Sequence, residues 1–225
     1  MPTSRHTDRT YEAELNELRQ MLLTMGGLVE DAIARAVRAL IERDTSVARA
    51  VIEEDKRVNR LEVEIDELCL RLLALRQPAA SDLRFITLAL KVVTDLERVG
   101  DLAVNIGERA AELNALPQLK PYIDLPRMSQ AAQAMLKDAL DSFVAADTAK
   151  ARDVLRRDNE VDELYHQLFR ELLAYMIADP TAIQRAAAIL FICKHLERIA
   201  DHATNLAEMV IFYVEGRDVR HPHSR

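Results

Sequence analysis

Two stretches of this chain, 103 positions apart, carry the same residues in the same order. Asp44-Thr45 recurs as Asp147-Thr148 and Ala48-Arg49 as Ala151-Arg152, while Val51, Asp55 and Val58 recur as Val154, Asp158 and Val161. Further along the offset becomes 100, so the second copy is three residues shorter. The loss falls around Pro78 and Pro180, where a loop tolerates it. A repeat of this length means that one supersecondary unit is built twice.

The apolar period identifies the unit. Leu15, Leu18, Leu22, Met25, Val29, Ile33, Val37 and Leu40 recur at three- and four-residue steps, one stripe of a long helix ending near Arg43. Asp44 reads as an N-cap. Val47, Val51, Val58, Leu61, Ile65 and Leu68 mark the second helix, which Pro78 stops because a proline lacks the N–H a helix needs. A third helix is expected from about Ser81 to Leu113. Pro117, Pro121 and Pro126 then mark a connection. Leu125, Met128, Met135, Leu136, Leu140 and Phe143 start the pattern again, Asp147 caps the fifth helix, and Pro180 opens a sixth that ends near Gly216. Short turns make sequential helices antiparallel neighbours. The expected architecture is all-α: two tandem, pseudo-symmetric three-helix bundles made of six long antiparallel helices. Residues 8–113 form the first bundle, 114–124 a linker and 125–216 the second bundle, with flexible termini at 1–7 and 217–225. A helix of about 32 residues is roughly 48 Å long, so the molecule is expected to be elongated.

Composition supports helices and narrows the function. There are five glycines and no tryptophan, and strand-forming residues are scarce. The net charge of −7 comes without a basic stripe, which argues against direct nucleic-acid binding. The longest strongly apolar run, Ala186 to Cys193, is too short to cross a bilayer, and Met1–Thr10 has no signal-like segment. A cytoplasmic location is expected, with Cys69 and Cys193 as reduced, buried thiols.

The chemistry concentrates in the third helix of each half. Leu96 to Ile106 aligns with Leu196 to Leu206, with identity at six of eleven positions, four of them polar: Glu97/Glu197, Arg98/Arg198, Asp101/Asp201 and Asn105/Asn205. Core packing needs volume and an apolar face, not the same polar residues twice. Residues four apart share a helix face, so Ala89, Val93, Glu97, Asp101 and Asn105 form a column that begins apolar and turns acidic. Ile189, Cys193, Glu197, Asp201 and Asn205 repeat it. Carboxylates one turn apart repel, and a cation, an arginine or full solvation must offset the repulsion. The second helices offer Asp55 and Asn59, and in the repeat Asp158 and Asp162. Such all-oxygen donors suit iron, zinc, magnesium, manganese or calcium without choosing among them. Arg98 and Arg198 would neutralise the columns without a metal. His195 and His202 lack histidine counterparts in the first half and are read as surface or rim residues.

Three segments together resemble the PhoU family of phosphate-specific regulators: Gln77-Pro78-Ala79-Ala80-Ser81-Asp82-Leu83-Arg84, Asp95 to Asp101, and His195 to His202. They look like the family's Q-P-x-A-x-D-L-R segment and its two E-x-x-x-D motifs. Ala200 stands where the family usually has a second glycine. The resemblance spans nearly the whole chain. It implies a PhoU-like two-bundle fold, metal clusters on the acidic motifs in some members, and a homodimer. It also implies a negative regulator of phosphate uptake and of the phosphate-starvation response. That regulator would act as an adaptor between the ATPase subunit of the phosphate ABC transporter and a membrane sensor histidine kinase, touching the membrane only through these partners. With Asn59 in place of an aspartate, the first metal site is expected to be the weaker. No catalytic residues are assigned.

Two other readings compete. A ferritin-like di-iron carboxylate oxidoreductase needs inward E-x-x-H motifs on two helices. Glu163-Leu164-Tyr165-His166 supplies one, but its counterpart Arg60-Leu61-Glu62-Val63 does not. A metal-free structural helical adaptor is the other.

Overall fold

A computed structural model describes residues 9–216, and the termini expected to be flexible lie outside these residues. Among the described residues the chain is helical with no strand. The helices are α1 (Arg9–Ile41), α2 (Thr45–Glu54), α3 (Lys56–Arg76), α4 (Ala80–Asn114), α5 (Asp124–Ala145), α6 (Thr148–Ala178) and α7 (Ile183–Glu215). Where one second helix was expected, α2 and α3 follow each other with an irregularity at Asp55. Its backbone stays in the right-handed helical region, at φ −54° and ψ −28°. Pro180 opens a short 3₁₀ turn, Pro180–Ala182, that leads into α7 rather than opening α7 itself.

The repeated joint has a local cause. Asp44 accepts hydrogen bonds from the backbone N–H groups of Ser46 at 2.9 Å and Val47 at 3.2 Å. Asp147 does the same for Ala149 at 2.9 Å and Lys150 at 3.0 Å. These carboxylates satisfy N–H groups that the first turn of a helix leaves without partners. The residue before each cap turns the chain through the left-handed region, Arg43 at φ 58° and Ala146 at φ 52°. Arg43 adds a side-chain tie, donating to the carbonyls of Asn114 at 2.8 Å and Leu116 at 2.6 Å.

In the first half α1, the α2–α3 rod and α4 pack together; α5, α6 and α7 do so in the second. The halves join where α4 meets α7 and α1 meets α5, and one apolar core runs through both. Residues 84–91 of α4 lie beside Phe212 and Tyr213 of α7, and residues 109–116 beside 184–191, so α4 and α7 are antiparallel about a pseudo-twofold axis. Phe85 and Phe143 stack across the halves with ring centroids 5.4 Å apart. The segment between the bundles is anchored on the second: the ammonium of Lys120, a buried polar group, donates to Glu171, and Arg185 donates to the Pro117 carbonyl at 3.3 Å.

Candidate functional site

The acidic columns grow out of the core as the helix period requires. Ala89 and Val93 are buried, and Glu97, Asp101 and Asn105 are half-buried where α4 passes the α2–α3 rod. In α7, Ile189 and Cys193 are buried, Glu197 is half-buried, and Asp201 and Asn205 are exposed.

In the first half Asp55 sits against Gly100: a methyl group there would lie 3.2 Å from Asp55 Oδ1 and 3.3 Å from Val58 Cγ1. Asn59 donates to Asp55 Oδ2 at 3.0 Å. Burial is the main cause that raises the Asp55 pKa; Asp101 adds to it and the Asn59 hydrogen bond opposes it. Glu97 is likewise pushed up, first by burial and then by Asp101, with Glu62 and Asp55 adding and Arg98 opposing. Arg98 Nε stands 3.5 Å from Glu97 and Nη1 stands 3.6 Å from Asp101, pairs open to solvent.

The second half is organised differently. Lys194 donates to Glu197 Oε1 at 2.6 Å and lies over the ring of Tyr165, 5.4 Å from its centroid. Glu197 Oε2 stands 2.5 Å from the same ammonium, so Lys194 pairs with both oxygens of the carboxylate. Asp158 is pushed up to about 6, first by burial and then by Asp162, Asp201, Glu197 and Glu208. Asp201 is raised by burial and by Glu197 and Asp162, against Lys194 and His202.

All eight residues expected at the sites therefore lie in two groups, Asp55, Asn59, Glu97 and Asp101 in one half and Asp158, Asp162, Glu197 and Asp201 in the other. Among the described residues, no three His, Cys, Asp or Glu side chains form a set that could hold a metal ion as they stand. Sequence reasoning missed Glu62 and Glu208, whose fields reach these groups. Both lie seven residues beyond an acidic member, Asp55 and Asp201, and that spacing was the available signal. It also missed the bond across the bundles from His202 Nδ1 to Asp95 Oδ1, 2.8 Å long and largely shielded from solvent. His202, expected at the surface or rim, is thus a residue of the interface between the bundles. His195, expected at the surface or rim, is half-buried with an Nδ1 that lacks a hydrogen bond, and burial lowers its pKa. Glu163 and His166, the partial di-iron motif, are exposed. Cys69 and Cys193 are free, buried thiols, both pushed up to about 12 by burial.

Fold and site together define a class: a duplicated all-helical protein with a carboxylate column facing the middle helix of each bundle. The family model for the PhoU domain matches residues 22–110 and 125–210, and the chain belongs to the PhoU family. It is 44% identical to the phosphate-specific transport system accessory protein PhoU homolog of Pseudomonas putida, over 96% of this chain and 85% of that protein. The crystal structure of PhoU from Pseudomonas aeruginosa is similar at a TM-score of 0.88 and 44% identity, covering 92% of this chain and 100% of that one. That of the phosphate transport system regulatory protein PhoU from Streptococcus pneumoniae reaches 0.85 at 31% identity, over 93% and 99% of the two chains.

Proposed function

We propose that this chain is an accessory protein of phosphate transport that restrains phosphate uptake and the phosphate-starvation response. It works in the cytoplasm as a homodimeric adaptor, not an enzyme, between the ATPase subunit of a phosphate ABC transporter and a membrane sensor histidine kinase. The observation that carries this reading is the agreement, nearly from end to end, with relatives named as phosphate-specific transport system accessory and regulatory proteins. No described helix is long and apolar enough to cross a membrane, which fits a protein that reaches the membrane through partners. The test is alkaline phosphatase output in phosphate-replete cells. High output on deletion, returned to low by the intact gene, supports the proposal; low output throughout, in a strain without a second homologue, overturns it.

The proposal includes metal binding by Glu97, Asp101, Asp55 and Asn59 in the first half and Glu197, Asp201, Asp158 and Asp162 in the second. The donor set is all oxygen, and burial with neighbouring carboxylates raises the pKa of Asp55, Glu97, Asp158 and Asp201 within it. A hard cation supplies the missing positive charge and, once these side chains turn inward, ties the middle helix of each bundle to the third. Metal content and the effect of a chelator on melting test this, because a ligand that binds the native state stabilises it. Glu197→Gln with Asp201→Asn is expected to remove the metal of the second half; unchanged stoichiometry defeats the assignment. Unchanged melting with chelator returns the columns to a metal-free adaptor.

A further inference from the structure

The antiparallel contact of α4 and α7 leaves a groove at each end, and the pseudo-twofold axis makes the two grooves equivalent. One is lined by Arg84, Thr87, Leu88, Lys91, Phe212 and Tyr213. Adding or subtracting the repeat offset of 100 turns these into Gln184, Ala187, Ala188, Phe191, Glu112 and Leu113, all of which line the other. The same two helices, α4 and α7, form both grooves, so the difference between them lies in their side chains.

What differs is charge and aromatic content. In the second groove the cation Arg109 is held by Glu112 at 2.6 Å. In the first, no carboxylate lines the groove, and Arg84 and Lys91 make no ion pair among the described residues. The nearest acidic residues along the chain are engaged elsewhere: Glu215 by Arg152 at 2.7 Å, Asp95 by His202 at 2.8 Å, and Asp82 by the Tyr11 hydroxyl at 3.1 Å. The two cations share the groove with Phe212, 51% exposed, and with Tyr213 and Leu88. A chain with a net charge of −7 thus keeps two uncommitted cations around an exposed aromatic ring. Arginine and aromatic residues with little local competition characterise the energetic centres of protein interfaces.

We propose that this groove docks an acidic segment of a partner protein, one that presents two carboxylates flanking an apolar side chain. Arg84 and Lys91 lie seven residues apart on α4, so the carboxylates must be about 10 Å apart, with the apolar side chain against Phe212 and Leu88. An anionic membrane is the poorer occupant. Two basic residues supply only about 2 kcal/mol at such a surface, and the net negative charge of the chain opposes approach. The proposal gives the accessory-protein reading a contact surface and rests on that reading only for the existence of a partner. Its test uses purified protein, so its failure leaves the cellular phenotype to be judged by itself.

The chain has no tryptophan, so Phe212→Trp places a single indole reporter in the groove. The probe is a fluorescein-labelled peptide of Glu, Asp and Leu, with a control peptide in which Lys replaces the acids. The expected result is binding of the acidic peptide alone, seen by anisotropy with the unaltered chain and by an indole emission shift in the reporter. Affinity should fall with added salt and drop at least about tenfold in Arg84→Glu/Lys91→Glu. Gln184→Glu in the opposite groove should leave it unchanged. If the double reversal does not fold, Arg84→Gln, which installs the residue of the other groove, is read instead. No binding at low salt, or binding indifferent to these substitutions, overturns the proposal. So does an emission shift with phosphatidylglycerol vesicles but not with peptide. Self-association lost in the double variant without peptide binding overturns it in favour of a second copy.

Discussion

The two halves descend from one pattern yet bring their middle helices to the third helix in different ways. In the first half α4 carries Gly100 and Gly107 beneath the α2–α3 rod. A methyl group on Gly107 would stand 3.3 Å from the Ala48 carbonyl oxygen, and one on Gly100 3.2 Å from Asp55. In the second half the equivalent positions are Ala200 and Ala207, both buried, and α6 runs unbroken from Thr148 to Ala178. Glycine permits a close approach of backbones, and the irregular step falls at Asp55, directly over Gly100. The charges diverge as well: Glu62 faces Glu97 where the second half has Tyr165, and Lys194 holds Glu197 where the first half has Thr94. A duplicated motif therefore does not guarantee a duplicated site.

The largest test concerns the connection, which the second half holds by an ion pair with a buried ammonium and the first by Arg43. Glu171→Gln leaves the Lys120 ammonium buried beside a neutral partner. It is expected to cost about 2–3 kcal/mol in the denaturant midpoint, below the usual range for buried pairs because Glu171 keeps some solvent. Arg43→Ala, at a half-solvated site, is expected to cost about 1 kcal/mol. A larger loss in Arg43→Ala would reverse the ranking of the two anchors.

Exchanging the small residues probes the helix approach directly. Gly107→Ala gains about 1 kcal/mol of helix propensity but presses on a carbonyl that cannot rotate away. The net expectation is a loss of about 1 kcal/mol, or roughly 2–4 °C in melting temperature. Ala207→Gly loses propensity and a buried methyl and is expected to cost about 1–2 kcal/mol. A rise in melting temperature for Gly107→Ala would show that the close approach of the rod does not depend on the glycine.

The carboxylate groups separate by pH. Asp158 has a folded pKa of about 6 against an ordinary 3.8, so between these values the folded chain holds a proton that the unfolded chain has released. Stability of the metal-free protein therefore falls as pH rises through that window, and the penalty is complete above it. Asp158→Asn should flatten the dependence and add about 1 kcal/mol above pH 6, a figure discounted for partial solvation. With metal bound the same substitution should lower stability. Asp55→Asn is expected to do less, because Asn59 already opposes the shift. Equal effects in the two halves would erase the electrostatic difference between them.

The smallest effect is at the joint. Ala146→Gly relieves a left-handed alanine and should stabilise by about 0.5 kcal/mol, since the less restricted unfolded chain offsets part of the relief. Arg43→Gly relieves the same strain but loses two carbonyl ties, and its melting temperature should fall.

Much of the fold and of the candidate site was legible in the sequence. The apolar stripes showed the helices, the aspartate caps showed where α2 and α6 start, and the identical polar residues of α4 and α7 showed both acidic columns. The step at Asp55 was not legible: the sequence around it reads as helix, and the glycines that pack against it lie about 50 residues away. The bond from His202 to Asp95 was hidden for a related reason, since neither residue has a like counterpart in the repeat.

The sequence by itself determined that this chain is helical, duplicated and capped at equivalent places. Those properties follow from periodicity and local hydrogen bonding within a few residues. Only the tertiary structure decided which charges meet across helices, because that depends on how each rod is rotated and on the antiparallel docking of α4 against α7. That docking placed His202 on Asp95 and made one groove cationic and the other self-neutralised. Coulombic interaction depends on distance in space, and a helical repeat fixes distance only along its own axis.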